Sequence, residues 1–253
     1  MAEFDSLRQA HARAGAASQA RIDEGLRAYM SRVYGIMSVG MLVTAGAAWA
    51  ISGLAVTEVN GQQQLTELGR LIYTTPLRWV IMFAPLLIVF GFGAMINRMS
   101  SATATTVFYA FAALMGVSIS WIFLQFTGMS IIQTFLVTAA AFAGLSIYGY
   151  TTKRDLSPIG TFLIMGLIGL IVAMIVNLFV QSSAMQMAIS VIGVLIFAGL
   201  TAFDTQRIKN EYVALASSDS EFLGKTAIMG ALSLYLNFLN LFMFLLQFLG
   251  NRD

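Results

Sequence analysis

The segment Leu232–Gly250 reads LSLYLNFLNLFMFLLQFLG. It is close to the roughly 20 apolar residues that a helix needs to cross a bilayer core. Yet it carries Asn237 and Asn240, and a side-chain amide in hydrocarbon is costly without a partner. Ser233, Asn237, Asn240 and Gln247 follow one another at steps of 4, 3 and 7, and Gly230 extends the series backwards by 3. At about 3.6 residues per turn these positions share one helix face, opposite a face of Leu, Phe and Met. A membrane helix turns such a stripe toward other helices or toward a wet cavity. The stripe therefore has two uses to choose between. It either hydrogen-bonds this helix into a bundle or lines a path for water or ions.

Composition outside this segment agrees with a membrane bundle. The chain of 253 residues is 58% hydrophobic and 10% charged, with mean hydropathy +0.80. Soluble domains carry about 25% charged residues. Apolar runs predict seven spans, at 33–55, 77–97, 104–126, 130–150, 159–180, 184–204 and 227–249. Polar segments separate them, among them TEVNGQQQLTELGR after the first and DTQRIKNEYVALASSDSEFLGK after the sixth, and Pro158 suits a helix start. The prediction is an all-α membrane protein: a polar tail, 1–32, then one seven-helix transmembrane domain, 33–250. The tail has no apolar core, so it is not a secretory signal, and from about Ile22 it should lead helically into the first span. Glycines within spans, such as Gly35, Gly46, Gly169, Gly193 and Gly199, are read as places where helices approach closely.

Charge sets the orientation. Arg8, Arg13, Arg21, Arg27, Arg32, Arg98, Lys153, Arg154, Arg207, Lys209 and Lys225 fall on one side, eleven in all, against three (Arg70, Arg78 and Arg252) on the other. The N-terminus is expected in the cytoplasm and the C-terminus on the far side. The lipid bilayer is the obligatory partner, and no basic stripe points to nucleic acid. There is no cysteine, and the single histidine, His11, lies in the tail. No span holds a His, no HExxH occurs, and only one aspartate is available where an intramembrane aspartyl protease needs two. Enzyme activity is not expected, nor is a cofactor. The seventh span has no lysine for a retinal Schiff base.

The spans are almost free of charge, which singles out Asp204 in AGLTAFDTQRIKNEY (198–212). A carboxylate in or at the edge of a membrane marks function by default. Its structural alternative is an ion pair with Arg207, one turn on, or with Arg154 of the neighbouring loop; such a latch can also be a gate. Depth is a difficulty for pairing Asp204 with Asn237. A seventh span that starts at Ala227 puts Asn237 about 15 Å deep, while Asp204 sits at the boundary. Pairing requires the sixth helix to lie deeper, or the seventh to begin near Glu221.

Four segments together resemble the Bax inhibitor-1 family, the transmembrane Bax inhibitor motif proteins: RVYGIMSVGMLVTAGAAWA (32–50), YGYTTKRDLSPIG (148–160), FDTQRI (203–208) and the segment 232–250. The resemblance runs from about Asp23 to Gly250, and the tail and short C-terminus look like those of bacterial members, which places the protein in a bacterial inner membrane. It implies a bundle with the last helix central, and a pH-sensitive calcium leak. The family's pH sensitivity is attributed to two aspartates that share a proton and latch to basic residues. The first maps onto Asp204. The second, in the family's LYLDF pattern, is Asn237 here. Two close carboxylates titrate as a coupled pair, whereas an Asp–Asn pair holds one titratable group. The expectation is a passive calcium leak with an altered pH response, its ion path along Asp204, Ser233, Asn237 and Asn240. A weak calcium site at Asp204 and Asn237 would retain a carbonyl ligand but lack a charge. The rival expectation is a non-transporting modulator of membrane quality control or stress survival, with a partner such as a quality-control protease.

Overall fold

The computed structural model describes residues 2–59 and 62–251, with side chains for 22–57 and 64–251. His11 lies outside the described side chains. Among the described residues, seven helices are long and apolar enough to cross a membrane. In chain order the elements are α1 (Ala2–Ala55), β1 (Val56–Val59), β2 (Gln62–Leu65), α2 (Glu67–Thr74), α3 (Leu77–Met95), α4 (Ser101–Ile119), α5 (Ile122–Gln125), α6 (Gly128–Thr151), α7 (Ser157–Val180), α8 (Ser183–Leu215) and α9 (Ser220–Leu249). The spans are α1, α3, α4 with α5, α6, α7, α8 and α9. Their polar breaks supply N-caps: the side chains of Ser100, Thr127, Ser182 and Asp219 accept from backbone N–H groups that would otherwise be orphaned at the starts of α4, α6, α8 and α9.

Three boundaries differ from the sequence expectation. Among the described side chains of α1, Leu26, Tyr29 and Met30 are already buried, so the packed domain starts before residue 33. The sixth span does not end at residue 204 but continues to Leu215, and the seventh starts at Ser220 instead of residue 227. Hydropathy finds where lipid ends, but these helices continue beyond it because they remain amphipathic. Ile208 packs on Gly230, and Tyr212 lies against Tyr29 with ring centroids 4.8 Å apart. The fourth difference is a new element. The first connection is not irregular: β1 and β2 form an antiparallel hairpin, Val56 opposite Leu65, and Thr66 caps α2 while bonding back to the carbonyls of Leu54 and Ala55.

The last helix is the hub. In the most apolar stretch of α9, 72% of residues are buried, against 6% in α7. It packs on α8, α1, α6 and α4. Around it the other spans form two groups: α4 holds α1 and α3, and α8 holds α6 and α7. Two glycines make this closeness possible. A Cβ at Gly116 would collide with the Thr44 carbonyl oxygen, and one at Gly149 with that of Ala202. Gly35, Gly46 and Gly169, by contrast, have nothing within 4 Å and so are not close-approach positions.

A buried polar knot ties the first group to the hub. The Tyr235 hydroxyl on α9 donates to Thr44 Oγ1 at 2.7 Å, and Thr44 donates to the Ala112 carbonyl of α4 at 2.8 Å. The Tyr235 ring sits edge-on to Phe108 and Phe111, with centroids 5.5 and 5.7 Å away. The outer faces are apolar: Phe162, Phe179, Leu87 and Phe90 are each at least 70% exposed, which fits lipid as their surroundings. The two groups leave two lateral gaps, since α1 makes no extended contact with α6, nor α3 with α7.

Candidate functional site

Asp204 and Asn237 meet. The Asn237 amide Nδ2 donates to Asp204 Oδ2 at 2.7 Å, between α8 and α9. The depth difficulty resolves because both helices run past the apolar boundary, which is the condition stated for pairing. Both side chains are buried, and Asp204 is the sole buried acidic or basic side chain among the described residues. Its other oxygen, Oδ1, pairs with the Arg207 guanidinium at 2.8 Å. Arg207 is half exposed, lies over the Phe203 ring, and also donates to Ser233 Oγ at 3.1 Å. Ser233 and Asn237 are one turn apart on α9. The four residues therefore form a closed ring across the α8–α9 contact, and neither carboxylate oxygen is free.

Of the two latch candidates, only Arg207 reaches Asp204. Arg154 does not: its side chain is exposed, and Gln206 has taken hold of its backbone instead. The Gln206 side chain is buried, donates to the Arg154 carbonyl at 2.8 Å and accepts from the Leu156 N–H at 2.8 Å. The loop before α7 is thus pinned to α8 two residues from Asp204, by side-chain amide and not by charge. In that loop the Ser157 N–H and hydroxyl hold the Asp155 carboxylate below the usual carboxylate range.

The ring stands at the head of a cavity of about 580 Å³ in the gap between α3 and α7. Asp204, Arg207, Ser233, Asn237 and Asn240 line its polar part. Asn240 spends one amide hydrogen on its own helix, at the Leu236 carbonyl. The rest of the wall is apolar, and the lining residues of α8 and α9 furthest from the ring are Phe197 and Phe244. These two rings stack with centroids 5.8 Å apart, and Phe244 also covers Gly193, where a Cβ would stand 2.7 Å from the ring.

Beyond the stacked rings lies a second polar group. Asn177 of α7 donates to Gln186 Oε1 at 3.0 Å, and Gln186 of α8 donates on to Gln247 of α9, whose Oε1 also accepts from Ser190. Gln247 belongs to the polar stripe singled out in the sequence, whereas Gln186 and Ser190 were passed over. Their spacing of four on one helix was the available signal.

A held calcium ion fits the site poorly. Calcium takes six to eight oxygen ligands. Asp204 offers the one carboxylate and both its oxygens are occupied; no cluster of three His, Cys, Asp or Glu side chains occurs among the described residues.

The chain matches known proteins over most of its length. The family model described as "Inhibitor of apoptosis-promoting Bax1" matches residues 26–253. The chain belongs to the Bax inhibitor-1 family. The match begins at Leu26, which is buried. A protein of Caulobacter vibrioides is 45% identical over 233 residues, covering 92% of each chain. The inner membrane protein YbhL of Escherichia coli K12 is 44% identical over 229 residues, 90% of this chain and 93% of its own. An uncharacterized membrane protein of Streptococcus pyogenes is 34% identical over 231 residues, 91% of this chain and 96% of its own. The Bax inhibitor-1 family assignment and the seven apolar helices make this a multi-pass membrane protein.

Proposed function

We propose that this Bax inhibitor-1 family member is a passive, non-enzymatic cation leak, with calcium as its foremost ion. Its membrane is a bacterial inner membrane, with the N-terminus in the cytoplasm; the eleven-to-three split of basic residues and the name of the Escherichia coli relative support this. The observation that carries the reading is the ring of Asp204, Arg207, Ser233 and Asn237 at the head of a cavity reaching into the membrane. A buried carboxylate without a packing need is expensive. Here the half-exposed Arg207 can swing away from Asp204, and a cation then meets the carboxylate, the Ser233 hydroxyl and the amide oxygens of Asn237 and Asn240 in turn. The ring holds one acid, so it lacks the proton-sharing carboxylate pair that the family's pH response is attributed to, and its pH response is altered accordingly.

One observation favours the rival reading of a non-transporting modulator: both Asp204 oxygens are satisfied, as in a polar contact whose work is to specify packing. Calcium influx into proteoliposomes separates the two. Wild-type protein is expected to exceed protein-free liposomes. Asp204→Ala leaves Arg207 unpaired, a positive charge at the mouth, and is expected to lower influx at least about tenfold. Equal influx in the two proteins would favour the modulator.

A further inference from the structure

The other lateral gap, between α1 and α6, holds two cavities of about 770 and 740 Å³. Both are lined by Met41, Leu42 and Phe135, so they form one groove, running from Arg27 and Tyr150 at one end to Val56 and Gly128 at the other. Its floor is the face of α9 carrying Phe238, Leu239 and Phe242, away from Asp204 and its cavity. From Arg27 to Leu42 the groove follows about 22 Å of helix. That is about three-quarters of a hydrocarbon core of about 30 Å, more than the depth of one leaflet.

Among the described residues that line the groove, charge is found only at the Arg27 end. Arg27 is exposed and forms no ion pair with a described residue. Lys209 lies 5.6 Å from the centre of the Tyr150 ring and donates to the Tyr150 carbonyl at 2.7 Å. One turn deeper, Ser146 lines the groove; it is 6% exposed, and its hydroxyl has no hydrogen-bond partner. A serine on a helix ordinarily satisfies itself on a carbonyl of the preceding turn. A buried hydroxyl left unsatisfied calls for an explanation, and an acceptor on a bound ligand supplies one.

We propose that this groove binds one molecule of an anionic glycerophospholipid. The phosphate meets Arg27, with Lys209 close by. An ester carbonyl, which lies below the phosphate in such a lipid, accepts from the Ser146 hydroxyl. One acyl chain follows Met37, Met41 and Leu42 between the two spans. The order of cation, hydroxyl and apolar groove along the membrane normal is the order of phosphate, ester and chain in the lipid.

Native mass spectrometry of the full chain in mild detergent tests this, with phosphatidylglycerol and phosphatidylcholine of identical chains, and palmitate, as probes. Phosphatidylglycerol is expected to be retained in preference to phosphatidylcholine. Arg27→Gln should weaken its binding about fivefold, the worth of one basic residue at an anionic lipid surface. Ala143→Trp fills the groove from an exposed position and should abolish retention of both lipids without touching the charges. Ser146→Ala should weaken phosphatidylglycerol but not palmitate, which has no ester. Equal retention of both phospholipids, unchanged by Arg27→Gln and Ala143→Trp, would mean annular lipid alone and overturn the site. Palmitate bound as tightly as phosphatidylglycerol, with Ser146→Ala silent, would overturn the phospholipid as its occupant.

Discussion

Asn237→Asp is expected to give the leak a pH switch in the neutral range that the wild type lacks. Residue 237 already stands at hydrogen-bond distance from Asp204, so the variant places two carboxylates where an amide and a carboxylate now meet. Such a pair cannot carry two charges cheaply. It holds one proton between its members and gives it up in a separate step. With the proton in place, the variant ring has the same net charge as the wild-type ring, one carboxylate against Arg207, and should leak as the wild type does. Once the proton leaves, like charges repel at the α8–α9 contact and a divalent cation finds two carboxylates in place of one. Influx through Asn237→Asp should therefore rise with pH between about 6 and 8, by roughly tenfold for one added charge at the mouth. Wild-type influx should change far less across that interval, since its ring holds one acid and no proton-sharing pair. Matching pH profiles for the two proteins would show that residue 237 does not set the response.

Removing the Phe244 ring is the second large change. On α8 and α9 the lining of the cavity below Asp204 reaches as far as the stacked Phe197 and Phe244, and the group of Asn177, Gln186 and Gln247 lies on the other side of them. From Asn237 to Phe244 is about 10 Å of helix, and Gln247 is one turn further. Two polar regions are thus separated by little more than one layer of rings, and a dewetted apolar constriction of that kind blocks ions. Phe244→Ala should join the two regions and raise calcium influx at least about tenfold. The substitution also opens a core cavity, at a cost of about 3–5 kcal/mol in soluble proteins. Phe244→Leu, which keeps most of the volume, should give a smaller rise in a protein that folds as the wild type does. If both variants elute as single species and neither changes influx, the rings do not block the path.

The sequence was most informative where a polar residue interrupts an apolar run. Asp204 and the stripe of Ser233, Asn237, Asn240 and Gln247 could be picked out because membrane spans tolerate so few polar groups. In the fold, Asn237 does reach Asp204, and Ser233 and Asn240 line the same cavity. The family resemblance then added the expectation of a central last helix. What escaped was geometry beyond the lipid. Hydropathy falls after Asp204, so the continuation of α8 to Leu215 and the early start of α9 were hidden, although Ile208 and Tyr212 keep a helical spacing there. The hairpin was signalled only by Asn60-Gly61, a common turn dipeptide, between two short runs. Arg154 was chosen by its charge and its place in the neighbouring loop. Its exposure left Gln206, a neutral residue inside FDTQRI, to fasten the loop. The groove beside α1 had no signal at all, because Ser146 is unremarkable until its neighbours are known.

The proposal that cations pass Asp204 through the cavity beside α9 can be tested at Asn240, which lines the cavity but stands outside the four-residue ring. The chain contains no cysteine, so Asn240→Cys introduces the sole thiol. The decisive measurement is calcium influx through Asn240→Cys proteoliposomes before and after modification with a positively charged methanethiosulfonate reagent, with wild type treated alike. The account predicts that modification, which places a fixed positive charge in the path, lowers influx at least about fivefold in the variant and leaves the wild type unchanged. Quantitative labelling of the introduced thiol with influx undiminished would contradict it.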